Sequence, residues 1–121
     1  MFFLYISIAK DFSETCGHRK GMFSGELFRD TMLIPKYLEC LNKKENLIID
    51  FDGGYGYPHG FLEEAFGGFI RKGYSAASFF DNVILISKED ESVILDIIEY
   101  MSDALDIRNE EIIKKRERKK K

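Results

Sequence analysis

Leu47-Ile48-Ile49-Asp50-Phe51-Asp52-Gly53-Gly54-Tyr55-Gly56-Tyr57-Pro58-His59-Gly60, continued by Phe61-Leu62-Glu63-Glu64-Ala65-Phe66-Gly67-Gly68-Phe69-Ile70, decides the fold. Its first residues form an apolar run of strand length that stops at turn residues, the pattern of a strand covered on both faces. Glycines at 53, 54, 56 and 60 permit positive φ and close backbone approach. Phe61, Leu62, Ala65, Phe66, Phe69 and Ile70 then recur at helical spacing. Strand, turn and helix in that order place a site at the carboxyl end of the strand.

Outward from this stretch the same alternation repeats. Leu4, Ile6 and Ile8 alternate with Tyr5 and Ser7, so residues 2–10 read as a first strand. Residues 11–23 are polar and glycine-punctuated, a loop with room for a short irregular strand. Ser24 is a good N-cap, and Glu26 suits the first turn of a helix. Leu27, Phe28, Thr31 and Met32 form that helix's inner face. Pro35 breaks or kinks it and opens a second segment burying Ile34, Leu38 and Leu41. Gly73 stops the helix at about 61–72, and residues 74–80 suit a further short helical turn. Residues 82–87 are another apolar strand. A last helix runs from about Asp90 to Ile107 or beyond, with Val93, Ile94, Ile97, Ile98, Met101, Ala104 and Leu105 on one face. The order β-α-β-α-β-α implies a mainly parallel sheet of three to four strands with right-handed crossovers and packed helices.

With 121 residues the chain is one domain's worth. It is 45% hydrophobic and 14% aromatic, enough for a core in which eleven phenylalanines are the main filler. No apolar run approaches the roughly 20 residues needed to cross a bilayer. Residues 2–9 lack the flanks of an export signal, and Cys16 and Cys40 make no disulfide framework, so a reducing cytoplasm is the expected setting. Residues 1–113 hold 11 basic and 20 acidic side chains, net −9, whereas residues 114–121 hold seven basic and one acidic, net +6. We therefore divide the chain into a body at 1–107 and a charged, basic, helical or disordered tail at 108–121. Eight residues without interleaved aromatics make a poor nucleic-acid module, so the tail reads as a solvated helix end.

Asp50-Phe51-Asp52-Gly53 after an apolar strand is the sharpest enzymatic signal. Magnesium-dependent phosphotransferases of the haloacid dehalogenase type begin so, one aspartate being the nucleophile and the next the acid/base, and residues 83–87 could pass for their second motif. No later acidic pair completes the metal site. The structural alternative is that Asp50 and Asp52 hydrogen-bond turn N–H groups, with Gly53, Arg19 and Arg29 as further turn and edge residues. Arg19 and Arg29 could pair with Asp50, Asp52 or Glu63. Gly54-x-Gly56-x-x-x-Gly60 has no P-loop lysine and is a weak phosphate signal. Cys16, His18, Cys40 and His59 fit no zinc spacing, and nothing places Cys16 beside His59 as a nucleophile pair. No metal or cofactor is expected. Gly67-Gly68 costs a helix about 1–2 kcal/mol, which suggests that another backbone packs closely there.

Gly17-His18-Arg19, Ser24-Gly25-Glu26-Leu27-Phe28-Arg29, Ile49-Asp50-Phe51-Asp52-Gly53 and Phe61-Leu62-Glu63-Glu64-Ala65-Phe66-Gly67-Gly68 follow one another as in one known family. Over roughly residues 3–100 the chain resembles the bacterial STAS-like domain of unknown function, related to sulphate-transporter and anti-sigma-factor-antagonist domains. The resemblance implies a small α/β domain that works by binding, with a histidine-kinase-like ATPase as the kind of partner. In the wider group a serine at the start of the second helix is the phosphorylation switch. Here Pro58-His59-Gly60 stands in that place, and no Ser or Thr lies between Asn46 and Tyr74. Tyr55, Tyr57, His59, Gly60 and Glu64 are the expected partner-binding residues, with His59 able to carry charge near neutral pH.

Overall fold

The computed structural model describes residues 3–119, and side chains to residue 118. The N-terminal part of β1 expected at residue 2 and the last two residues of the tail lie outside the described residues. The elements are β1 (Phe3–Ser7), the helical turn α1 (Ile8–Asp11), helix α2 (residues 25–43), β2 (Asn46–Asp50), helix α3 (residues 59–71), α4 (Ala76–Asn82), β3 (Val83–Ile86) and α5 (Ser92–Lys119). The β-α-β-α-β-α order expected from the sequence is present, α4 is the short helical turn expected at residues 74–80, and α1 is an addition.

The sheet has three strands in the order β1-β2-β3, all parallel. Leu4, Leu47 and Val83 stand side by side, as do Ile6, Ile49 and Leu85. Strands ordered as in the chain and joined by right-handed crossovers carry their helices on one face. Burial follows that rule: Ile6, Leu47 and Ile49 are fully buried, while Tyr5 is 50% and Ile84 44% exposed. The apolar run at 47–51 thus belongs to a strand covered on one face, not two.

β1 ends sooner than its apolar pattern suggests. Ser7 accepts a hydrogen bond from Lys10 N, and the Asp11 carboxylate accepts one from Ser7 N. These reciprocal bonds start a helical turn where the strand was expected to continue. Residues 12–24 form a loop without a strand.

Helix α2 begins at the Ser24 cap, whose hydroxyl accepts Leu27 N. It continues through Pro35 instead of breaking. A five-residue π turn, Arg29–Leu33, precedes the proline, and Ile34 N donates to Arg29 O. The wider turn spares the helix the hydrogen bond that Pro35 lacks. It also rotates the inner face: Phe28, Leu33, Tyr37 and Cys40 are buried, while Leu27, Thr31, Leu38 and Leu41 are exposed. Helix α3 carries a second π turn, Glu63–Gly67. Between α2, α3 and α4 lies an aromatic core of Phe28, Phe61, Phe66, Phe69 and Phe79, with Tyr37 edge-on to Phe69 at 5.0 Å. Helix α5 packs Val93, Ile97, Met101 and Ala104 onto α3.

Candidate functional site

The turn after β2 is tied down on every side. The Asp50 carboxylate accepts Asp52 N at 2.9 Å with one oxygen and the Tyr5 hydroxyl with the other. That bond to a carboxylate raises the Tyr5 phenol above its ordinary pKa. The Asp52 carboxylate accepts Lys88 N at 3.1 Å and Glu89 N at 3.0 Å. Glu89 returns the contact by accepting Gly53 N. The turns after β2 and β3 are therefore laced together by carboxylate-to-backbone bonds, which bring out the positive φ of Gly53. Tyr55 N donates to Glu14 O at 2.9 Å, pinning the turn to the first loop.

Tyr57 is half-buried. Its hydroxyl donates to Phe51 O at 2.7 Å, and its ring packs on Phe51 and Phe61. Burial pushes its phenol well up, since the phenolate would have to be formed away from water. Tyr55, by contrast, is 83% exposed. His59 is exposed at the first residue of α3, with Nδ1 2.8 Å from the Tyr100 hydroxyl and 3.9 Å from Asp96 on α5. Gly60 lies against the Arg19 side chain, where a Cβ would come within 3.2 Å.

Behind His59, along α3, runs a chain of charge. Arg19 and Arg71 both bond Glu63, and Arg71 also bonds Glu64 at 2.7 Å. Buried Arg29 donates to Glu64 O at 3.0 Å and pairs with Asp30. Arg19 thus meets Glu63, one of its three expected partners, and Arg29 meets none of them. Burial alone would raise the Glu63 carboxyl, but the bonds from Arg71 and Arg19 hold it below its ordinary range. Gly67 and Gly68 serve this network: a Cβ on Gly67 would strike the Glu63 carboxylate, and one on Gly68 the Arg29 guanidinium. The close backbone passage expected at Gly67-Gly68 occurs instead at Gly25, whose Cβ would meet Phe61 O at 2.3 Å.

The cysteines stand apart from this site. Cys16 is buried and its Sγ faces Ser13 O, and burial pushes its thiol up to about 11. Cys40 is buried on the inner face of α2. Among the described residues no three His, Cys, Asp or Glu side chains gather as a metal-ligand set.

The matched family model is the STAS-like domain of unknown function (DUF4325), over residues 24–93. The chain belongs to this family. The match spans the Ser24 cap, both π turns, the Asp50-x-Asp52 turn and the first residues of α5, and it is narrower than the 3–100 over which the motifs run. Comparison of the STAS-like domain with curated proteins and with solved structures finds no match. No helix among the described residues is long and apolar enough to cross a membrane.

Sequence spacing brought Tyr55, Tyr57, His59, Gly60 and Glu64 onto one stretch, and the structure sets them on one turn and helix start. It adds Tyr5, Glu89, Tyr100, Asp96 and Arg71, which are distant in the chain. Only strand register and helix packing join them, so no local motif announces them.

Proposed function

We propose that this STAS-like domain is a non-enzymatic, cytoplasmic binding and regulatory module that meets a protein partner through residues 55–64. The observation that carries the reading is the exposed aromatic rim at the start of α3. Tyr55 projects into solvent and exposed His59 reaches Tyr100, on a turn whose Asp52, Gly53 and Tyr55 N–H groups are all tied down, a rigid platform with projecting side chains. Rigid aromatic anchors suit recognition because little entropy is lost when they are covered. Gly60 and Glu64 follow on the first turns of α3, and Tyr57 anchors the turn by packing on Phe51 and Phe61.

The partner class that the STAS-like resemblance implies is a histidine-kinase-like ATPase. Recognition at this rim runs without serine phosphorylation, since the stretch has no hydroxyl of that kind. A phosphotransferase using Asp50 and Asp52 would need carboxylate oxygens aimed at substrate and metal, whereas here both side chains are occupied by turn N–H groups and Tyr5.

The test is capture of partners from the native cell by the wild-type domain and by a Tyr55→Ala/His59→Ala variant. Both side chains are exposed, so the variant should melt as the wild type does while losing its partners. Capture of the same partners by the variant would move the binding face elsewhere. In parallel, release of phosphate from acetyl phosphate in Mg²⁺, lost in Asp50→Asn, would overturn the non-enzymatic reading.

A further inference from the structure

Helix α5 outruns the body it packs on. Its inner stripe, Val93, Ile97, Met101 and Ala104, is buried. Arg108 makes a further tie, donating to Ile70 O at 3.3 Å and Tyr74 O at 3.2 Å. From Asn109 to Arg118 every side chain is exposed. At the helical rise those turns project about 15 Å.

The charges of this helix are sorted along it. Asp96, Glu99, Asp103, Asp106 and Glu110 follow at steps of three and four residues, a carboxylate ridge along one side. Residues 114–121 carry seven basic side chains and one acidic, net +6. Among the described residues no ion pair engages Lys114, Lys115, Arg116 or Arg118. The middle of the basic run lies about 10 Å along the helix from Glu110. Physiological salt screens charge over about 8 Å, so the ridge leaves the field of the run largely uncancelled. Two apolar side chains adjoin the run, Ile112 at 43% and Ile113 at 54% exposed.

We propose that the basic end of α5, from Ile112 onward, docks on an anionic lipid bilayer. Lipid headgroups supply the negative charge that the unpaired lysines and arginines lack. The acyl boundary beneath them takes Ile112 and Ile113, as it takes the apolar face of other basic interfacial helices. A nucleic acid matches the charge but not the isoleucines, and residues 110–121 contain no aromatic side chain to stack on a base. The carboxylate ridge is repelled by the same surface, so contact stays with the last turns and the acidic body stands clear. His59 meets Asp96 and Tyr100 about 25 Å back along α5 from the basic run, so docking leaves the rim at residues 55–64 open. Two weak signals, charge and a pair of isoleucines, make the attachment reversible and salt-sensitive.

Co-sedimentation of the full chain with vesicles reads the docking directly. The vesicles are phosphatidylcholine alone and phosphatidylcholine with about one-third phosphatidylserine, a strongly anionic surface. Binding is expected to the anionic vesicles only, and to fall as salt rises. Deletion of residues 114–121, or Lys114→Glu/Lys115→Glu, should weaken it at least about tenfold, since each cation near the surface accounts for about fivefold. Ile112→Ser/Ile113→Ser should weaken it while leaving its salt dependence unchanged. All these side chains are exposed, and unchanged circular-dichroism melts will show that the variants remain folded. No binding to the anionic vesicles, equal binding to neutral ones, or indifference to loss of residues 114–121 would each overturn the proposal. So would vesicle binding unchanged in Ile112→Ser/Ile113→Ser, or tighter binding to a mixed-sequence DNA duplex at the same salt, which would assign the basic end to nucleic acid.

Discussion

Asp52 shows what a single side chain contributes. Its two oxygens accept two backbone N–H groups from the turn after β3. Asp52→Ala leaves both donors without their partner and should lower stability by about 1–3 kcal/mol, read as a fall in urea midpoint at unchanged slope. Glu63 has a pH signature. Its folded pKa lies below the unfolded value of about 4.3, so the carboxylate's contribution is complete above that pH. It is lost as pH falls through the depressed folded pKa. Stability should therefore decline below about pH 4.3, and Glu63→Gln should flatten part of that decline in acid titrations followed by circular dichroism. Asp50 and Asp52 as acceptors of turn N–H groups were legible in the sequence, because a strand running into Asp-x-Asp-Gly leaves few other acceptors. That Asp52 reaches 36 residues ahead was not, since only the β2–β3 register brings Lys88 to it.

Elements were legible where one period dominated. The α3 pattern and its Gly73 stop survive intact, as does the Ser24 cap. The π turns were not legible, because an extra residue per turn leaves composition unchanged and merely slides the buried face. For that reason Leu33, Tyr37 and Cys40 face inward along the second half of α2, the expected Ile34 packs only partly against the core, and Leu38 and Leu41 are exposed. The two π turns pack against each other and bring Arg29 to Glu64. Glycines at the crossing separate two kinds of closeness. The obstacle to a Cβ at Gly25 is backbone, Phe61 O, whereas at Gly68 it is the end of the Arg29 side chain. Gly25→Ala should therefore cost about 3 kcal/mol, near the top of the range for overpacking, and Gly68→Ala about 1–2 kcal/mol. Paired thermal melts of the two variants check the order; a costlier Gly68→Ala would mean that the Arg29 position is the more rigid of the two.

At the scale of the whole molecule the sequence conveyed parallel strands and their order, but not that the sheet is clothed on one side. Ile48, Ile84 and Ile86 look like core residues in the chain, since a continuous apolar run carries no mark of which face is covered. Three parallel strands taken in order receive their crossover helices on a single face, and α5 packs on α3 instead of crossing beneath the sheet. The outer face is then left to Phe3, Tyr5 and Ile84. This asymmetry has a measurable consequence. Ile49 is fully buried under the helices, and Ile49→Ala should cost about 2–5 kcal/mol. Ile84 is the same residue type in the neighbouring strand, pointing the other way, and Ile84→Thr should change stability by no more than about 0.5 kcal/mol. Threonine keeps the β-branch that a strand favours, so the comparison isolates burial from propensity. Denaturant unfolding of the two variants at equal, low concentration decides it: a loss at Ile84 comparable with that at Ile49 would mean that the outer face is covered, and that a layer is missing from this account of the fold.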